Sequence, residues 1–195
     1  MSSYSKIFAL SATLISPFAQ ATTVIPAPPV LENKAFVLMD YDSGKILAES
    51  NAHGHLAPAS LTKMMTSFLV EQRLLKGQLK EEDQVLMSEN AWCRGTSKES
   101  CMYVPLNSYA SVLDMLRGII IQSGNDASKA VAEHLAGSET AFAELMNGEA
   151  KHLGMKNTQF KNVTGLTEDG HYTSAYDMAL LAHAIIKDSS KYYPI

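Results

Sequence analysis

Ala57-Pro58-Ala59-Ser60-Leu61-Thr62-Lys63-Met64-Met65-Thr66 sets a serine at the mouth of an apolar helix, with a lysine three residues on. Leu61, Met64, Met65, Phe68, Leu69, Leu74 and Leu75 recur at helical spacing, and Gly77 supplies a stop. The stripe is nearly continuous, so this helix is expected to be central. Residues i and i+3 share a helix face about 5 to 6 Å apart between Cβ atoms, which brings Lys63 within reach of the Ser60 hydroxyl. A free lysine, with a pKa near 10.4, is protonated at neutral pH and cannot act as a base; burial among Leu61, Met64 and Met65, or a nearby positive charge, would lower it. The helix N-terminus also aims N–H groups and positive potential at a developing oxyanion. Nucleophile, base and part of the oxyanion site can thus come from one turn.

The pattern alone is weak. Ser3-Tyr4-Ser5-Lys6 also matches S-x-x-K, and Ser88-Glu89-Asn90 matches S-x-N as well as Ser123-Gly124-Asn125 does. Ser60 alone could be a plain N-cap, and Ser123 with Asn125 plain turn residues. Context separates the copies: Ser60 opens an apolar helix and Ser123 lies in a turn between two helices, where both side chains can face one cleft. Together they point to serine acyl transfer.

A chain of 195 residues with 46% hydrophobic and 18% charged residues can bury one substantial core and a small second lobe. The net charge of -4, with scattered Lys and Arg, gives no basic footprint and argues against a nucleic-acid partner. Lys6, the apolar run from Ile7 to Phe18 and Ala19-Gln20-Ala21 have the order of a secretory signal over residues 1–21, placing the protein in the periplasm. Pro26, Pro28 and Pro29 make residues 22–33 an extended linker, and residues 34–195 the folded part. No other segment has the ~20 apolar residues of a membrane span.

Ala35 to Met39 and Ile46 to Ala48 flank Tyr41-Asp42-Ser43-Gly44 as a β-hairpin. His53 and His55, with no third ligand type nearby, read as loop residues rather than a metal site. A short strand is expected at Gln84 to Ser88. Ser111 caps a helix ending at Ser123; further helices run from Asn125 or Asp126 to Ala136, from about Phe142 to Leu153, and from Thr173 or Ser174 through Ile185. Cys93 and Cys101, in an exported chain, are expected to form a disulfide, against the alternative of two reduced thiols.

From about Pro26 to Pro194 the chain resembles the D-alanyl-D-alanine carboxypeptidases, the low-molecular-mass penicillin-binding proteins of bacterial cell walls. The likeness is carried by Asp40-Tyr41-Asp42-Ser43-Gly44-Lys45, by Pro58 to Thr66, by Ile120-Ile121-Gln122-Ser123-Gly124-Asn125-Asp126-Ala127, and by Asn157 to Leu166. It implies an α/β fold of the DD-peptidase and serine β-lactamase-like transpeptidase type, an antiparallel sheet flanked by helices plus an all-helical subdomain, incomplete at the C-terminus. It further implies that Ser60 is acylated by a peptidoglycan stem peptide or a β-lactam antibiotic. Lys63 would take the serine proton, Ser123 would relay a proton to the leaving amine, and Asn125 would hold the substrate amide. No cofactor or metal is called for.

The family's Lys-Thr-Gly motif does not occur in this sequence, nor do the later sheet strands, the small β domain or the membrane anchor of many relatives. The chain therefore reads as the first part of a longer protein. The likeness also weakens around Thr96 to Met102. Alternatives to a carboxypeptidase are a non-catalytic fragment, a DD-endopeptidase, or a β-lactamase, which should add a deacylating glutamate.

Overall fold

Helix α1 spans Thr62–Leu75 and follows a single 3-10 turn at Ala59–Leu61. The structure is a computed structural model describing residues 32–95 and 99–195; the expected export signal and the linker up to residue 31 lie outside the described residues. Apolar side chains on both flanks of α1 wedge it between two cores. Val70 and Leu74 pack into one with Val85, Met115, Leu116 and Val131, and Met65 and Phe68 into the other with Phe142, Met146, Phe160 and Leu181. Each fully buried side chain of this size contributes roughly 1.5 to 3 kcal/mol. The helix is therefore fixed by packing on both sides, as its long stripe implies.

Strands β1 (Phe36–Met39) and β2 (Ile46–Ser50) form the expected antiparallel hairpin, with Phe36 opposite Ser50 and a shift of register between Leu38 and Met39. The turn closes because Gly44, at φ 68°, donates its N–H to the Asp40 carbonyl (2.9 Å), while the Asp40 carboxylate accepts from the Ser43 N–H (3.0 Å). Strand β3 (Gln84–Leu86) stands near the expected place and pairs antiparallel with β4 (Tyr109–Ser111), which the sequence does not announce because three residues are too few to show alternation.

The remaining helices are α2 (Val112–Ile120), α3 (Asn125–Ala136), α4 (Glu139–His152) and α5 (Ala175–Asp188). Serine caps start three of them: Ser111, Ser138 and Ser174 accept from the N–H groups of Asp114, Ala141 and Asp177. Such a cap stabilises by about 1 kcal/mol. The first core joins α2 and α3 to β3, and the second joins α4 and α5 to α1. On α3 the buried residues are small, Ala127, Ala130 and Ala132 among them, so α1, α2 and α4 can all approach it. Strand β1 packs on α5. His53 and His55 are exposed loop residues, as expected, with His55 stacked on Tyr172 and His53 lying against Tyr176. Among the described residues no helix is long and apolar enough to cross a membrane.

The start of α1 corrects one expectation. Ser60 is not in the first turn of the α-helix but in the 3-10 turn before it, and the cap position is Leu61, with no side-chain capping bond. The reading of Ser60 as an N-cap is thereby excluded. Its relation to Lys63 is set by a 3-10 turn running into a helix rather than by one regular helix face.

Candidate active site

Ser60 is exposed on its turn. The residue before it, Ala59, has φ 47°, a left-handed conformation that costs a residue with a Cβ roughly 1 to 2 kcal/mol. Such strain persists only where neighbours impose it. Here the neighbour is the loop from Asn162 to Leu166. Gly165, at φ 88°, lies so close that a Cβ on it would overlap the Ala59 carbonyl oxygen. Asn162, buried, shapes this loop from within: its Oδ1 accepts from the Gly165 N–H (2.8 Å), and its Nδ2 donates to the Leu166 carbonyl (2.9 Å) and to Glu168 (3.0 Å).

The same loop receives Lys63. Its side chain is only 5% exposed, and Nζ donates to the Thr164 carbonyl at 2.7 Å. One turn on, the Thr66 hydroxyl donates to the Val163 carbonyl at 2.9 Å. Burial is the larger influence on Lys63 and lowers its pKa to about 8, against an opposing upward pull from the Glu99 carboxylate. An amine with that pKa is roughly one-tenth unprotonated at pH 7, a far larger neutral fraction than a free lysine has, and only that neutral form can serve as the general base.

Ser123 closes the turn between α2 and α3 at φ 55°, and its hydroxyl oxygen is buried with no hydrogen-bond partner among the described residues. Ser60, Lys63 and Ser123 all line one cavity of about 690 Å³, otherwise mostly apolar, with Leu61, Met64 and Ile120 in its wall. Asn125 does not line it. It is the first residue of α3, buried, and its Nδ2 donates to Glu99 Oε2 at 3.0 Å. The sulfurs of Cys93 and Cys101 are bonded in the loop that carries Glu99.

Glu99, Asn162, Thr164, Gly165 and His171 are residues of this site that sequence reasoning missed. Thr164 acts through its carbonyl, which no side-chain pattern reports, and Glu99 lies where family likeness is weakest. Asn-Val-Thr-Gly at 162–165 was visible as a similar stretch, but its use as a brace was not.

His171 adds a second brace. It is 6% exposed; its Nδ1 accepts from the Lys161 N–H (2.9 Å), so the ring carries its proton on Nε2 and donates it to the Thr62 hydroxyl (2.9 Å). Burial lowers its pKa, with Glu168 pulling weakly the other way. Because the folded state holds the proton less well than the unfolded state, its contribution is full above the ordinary value near 6.5 and is lost as pH falls below it. Urea unfolding should show stability declining from about pH 6.5 downward, with a shallower decline in His171→Asn. Equal slopes would show that His171 is not the titrating brace.

The model of the D-alanyl-D-alanine carboxypeptidase family matches residues 22–195. The D-alanyl-D-alanine carboxypeptidase DacA of Escherichia coli (strain K12) is 42% identical over 201 residues, covering 97% of this chain and 50% of that protein. Among solved structures, penicillin binding protein 5 from Haemophilus influenzae superposes with a TM-score of 0.84 at 43% identity, over 86% of this chain and 49% of its own. Penicillin-Binding Protein D2 from Listeria monocytogenes, in its ampicillin-bound form, does so with a TM-score of 0.71 at 26% identity, over 85% and 66%. The chain spans about half the length of the curated relatives it matches.

Proposed function

This chain belongs to the D-alanyl-D-alanine carboxypeptidase family, and on that premise we propose that it carries the nucleophile, base and proton relay of a serine-type peptidase acting on peptidoglycan stem peptides that end in D-Ala-D-Ala. The observation that supports this most is the convergence of Ser60, buried Lys63 and the unpartnered Ser123 hydroxyl on one cavity. Neutral Lys63 takes the Ser60 proton, and the serine oxygen bonds to the penultimate D-alanine carbonyl carbon. As the C–N bond breaks, Ser123 passes a proton to the leaving amine, freeing D-alanine, and Asn125, two residues on at the start of α3 and outside the cavity wall, would steady the substrate amide where the substrate extends past Ser123. Water then hydrolyses the ester and restores Ser60. A β-lactam opens by the same attack, but its amine stays tethered; the ampicillin-bound Listeria relative supports this part of the reading. Residues 1–21 would direct the protein to the periplasm, where this substrate is.

The test is direct. The full-length protein is incubated with a fluorescent penicillin, digested with trypsin and read by mass spectrometry, while D-alanine release is assayed on a diacyl-D-Ala-D-Ala peptide. The label is expected on the peptide of residues 46–63, at Ser60. Label at another residue, or D-alanine release unaffected by saturating penicillin, would reject the assignment.

A further inference from the structure

We propose that Glu99 is a positioning residue for acylation, its carboxylate holding the Asn125 carboxamide so that one Nδ2 hydrogen is fixed and the other is left for the substrate; this rests on the acyl-transfer reading above. An amide nitrogen carries two hydrogens, and an ionised carboxylate can only accept. The bond from Asn125 Nδ2 to Glu99 Oε2 (3.0 Å) therefore decides which end of the buried amide faces Glu99. The charge on the acceptor makes this bond roughly twice as strong as a neutral one.

Glu99 is not a loose side chain that happens to touch Asn125. The segment that bears it is tied to the first turn of α3 by one backbone bond and two bonds to a side-chain carboxylate. The Asn125 N–H donates to the Ser100 carbonyl at 2.8 Å, and the N–H groups of Met102 and Tyr103 each donate to the Asp126 carboxylate at 2.8 Å. Cys101, buried between them, is bonded to Cys93. Lys129, one turn along α3 from Asn125, lies 4.0 Å from the same Glu99 oxygen.

Among the described residues, Lys129 on α3 lies against Glu99, and the Glu99 charge acts on Lys63 of α1. Glu71, further along α1, lines the same cavity, and burial raises its pKa toward the neutral acid. Glu99 is thus the carboxylate that supports a protonated Lys63, opposing the effect of burial. Removing its charge should ease deprotonation of the base, while removing its acceptor should free the amide. The two effects are separable.

The experiment measures the acylation rate of the full-length protein by a fluorescent penicillin as a function of pH, for the parent, Glu99→Gln and Glu99→Ala. Glutamine keeps an acceptor of the same reach without the charge. Both variants should move the acid limb of the profile to lower pH. Glu99→Gln should keep a plateau within about threefold of the parent, while that of Glu99→Ala should fall about tenfold, the loss expected of a charge-assisted bond. That pair of results supports the proposal. Unmoved limbs, or equal plateaus in the two variants, overturn it, including the case where both fall together through a structural defect. Thermal melts check folding. Should the parent fail to label at Ser60, the acyl-transfer reading itself fails, an outcome visible without either variant.

Discussion

Replacing Lys63 with methionine is expected to lower the rate of acylation by a penicillin by a factor of ~10² to 10⁴, the range ordinarily contributed by a positioned general base. Methionine approximates the length and the apolar stem of lysine, so the packing of the first turns of α1 should survive. What is removed is the one amine that the described residues place in the wall of the cavity, and its bond to the Thr164 carbonyl. That carbonyl loses a donor, at a cost of about 1 to 3 kcal/mol, partly offset because a buried cation is also gone. The pH dependence gives an independent check. Burial lowers the Lys63 pKa to about 8, and only the neutral amine can accept the Ser60 proton. The parent rate should therefore climb roughly tenfold per pH unit below that value and level off above it. In Lys63→Met the climb should vanish along with the rate. A variant that melts normally and acylates at the parent rate would remove Lys63 from the mechanism.

How much of this was legible in the sequence depends on which atoms carry the information. The central place of α1 could be read because Met65, Phe68 and Leu74 announce themselves by spacing. Two of the helix starts could be read from Ser111 and Ser174, since a short hydroxyl before an apolar run has one common use, whereas the Ser138 start of α4 lies ahead of Phe142, the first residue of its apolar pattern. Ser60 resembles those caps in sequence and differs from them in structure. What sets it apart is the left-handed Ala59, imposed from a loop about a hundred residues downstream, and long-range imposition leaves no local mark. Thr164 contributes a carbonyl and Gly165 an absent side chain, neither of which a pattern of residue types reports. Glu99 is a different case. Its residue type is visible, but its partner Asn125 is reached only through a strap whose geometry depends on the Asp126 carboxylate and the Cys93–Cys101 bond.

Gly165→Ala should be the most damaging small substitution in the brace, costing about 3 kcal/mol or more in stability and at least ~10² in acylation rate. Two separate penalties act. At φ 88° an L-residue is strained by roughly 1 to 2 kcal/mol. In addition the new methyl would overlap the Ala59 carbonyl oxygen and crowd the Thr62 hydroxyl, and overpacking of this kind costs typically 1 to 3 kcal/mol. A flexible side chain could swing away, but the obstructing atom is backbone, already held at φ 47° and bonded to the residue that carries the nucleophile. Relief therefore requires either the loop or the Ser60 turn to move. If the loop moves, Lys63 and Thr66 lose the Thr164 and Val163 carbonyls; if the turn moves, Ser60 leaves the cavity wall. Acylation falls in both cases. Gly148 supplies the contrast, because it is exposed within α4 with open space where a Cβ would go. Gly148→Ala should raise stability by roughly 0.5 to 1 kcal/mol through helix propensity and leave the rate alone. Urea unfolding and timed penicillin labelling of the two variants in the full-length protein decide the matter. A Gly165→Ala variant with the parent's unfolding midpoint and labelling rate would mean that the loop from Asn162 to Leu166 does not hold the Ser60 turn in place.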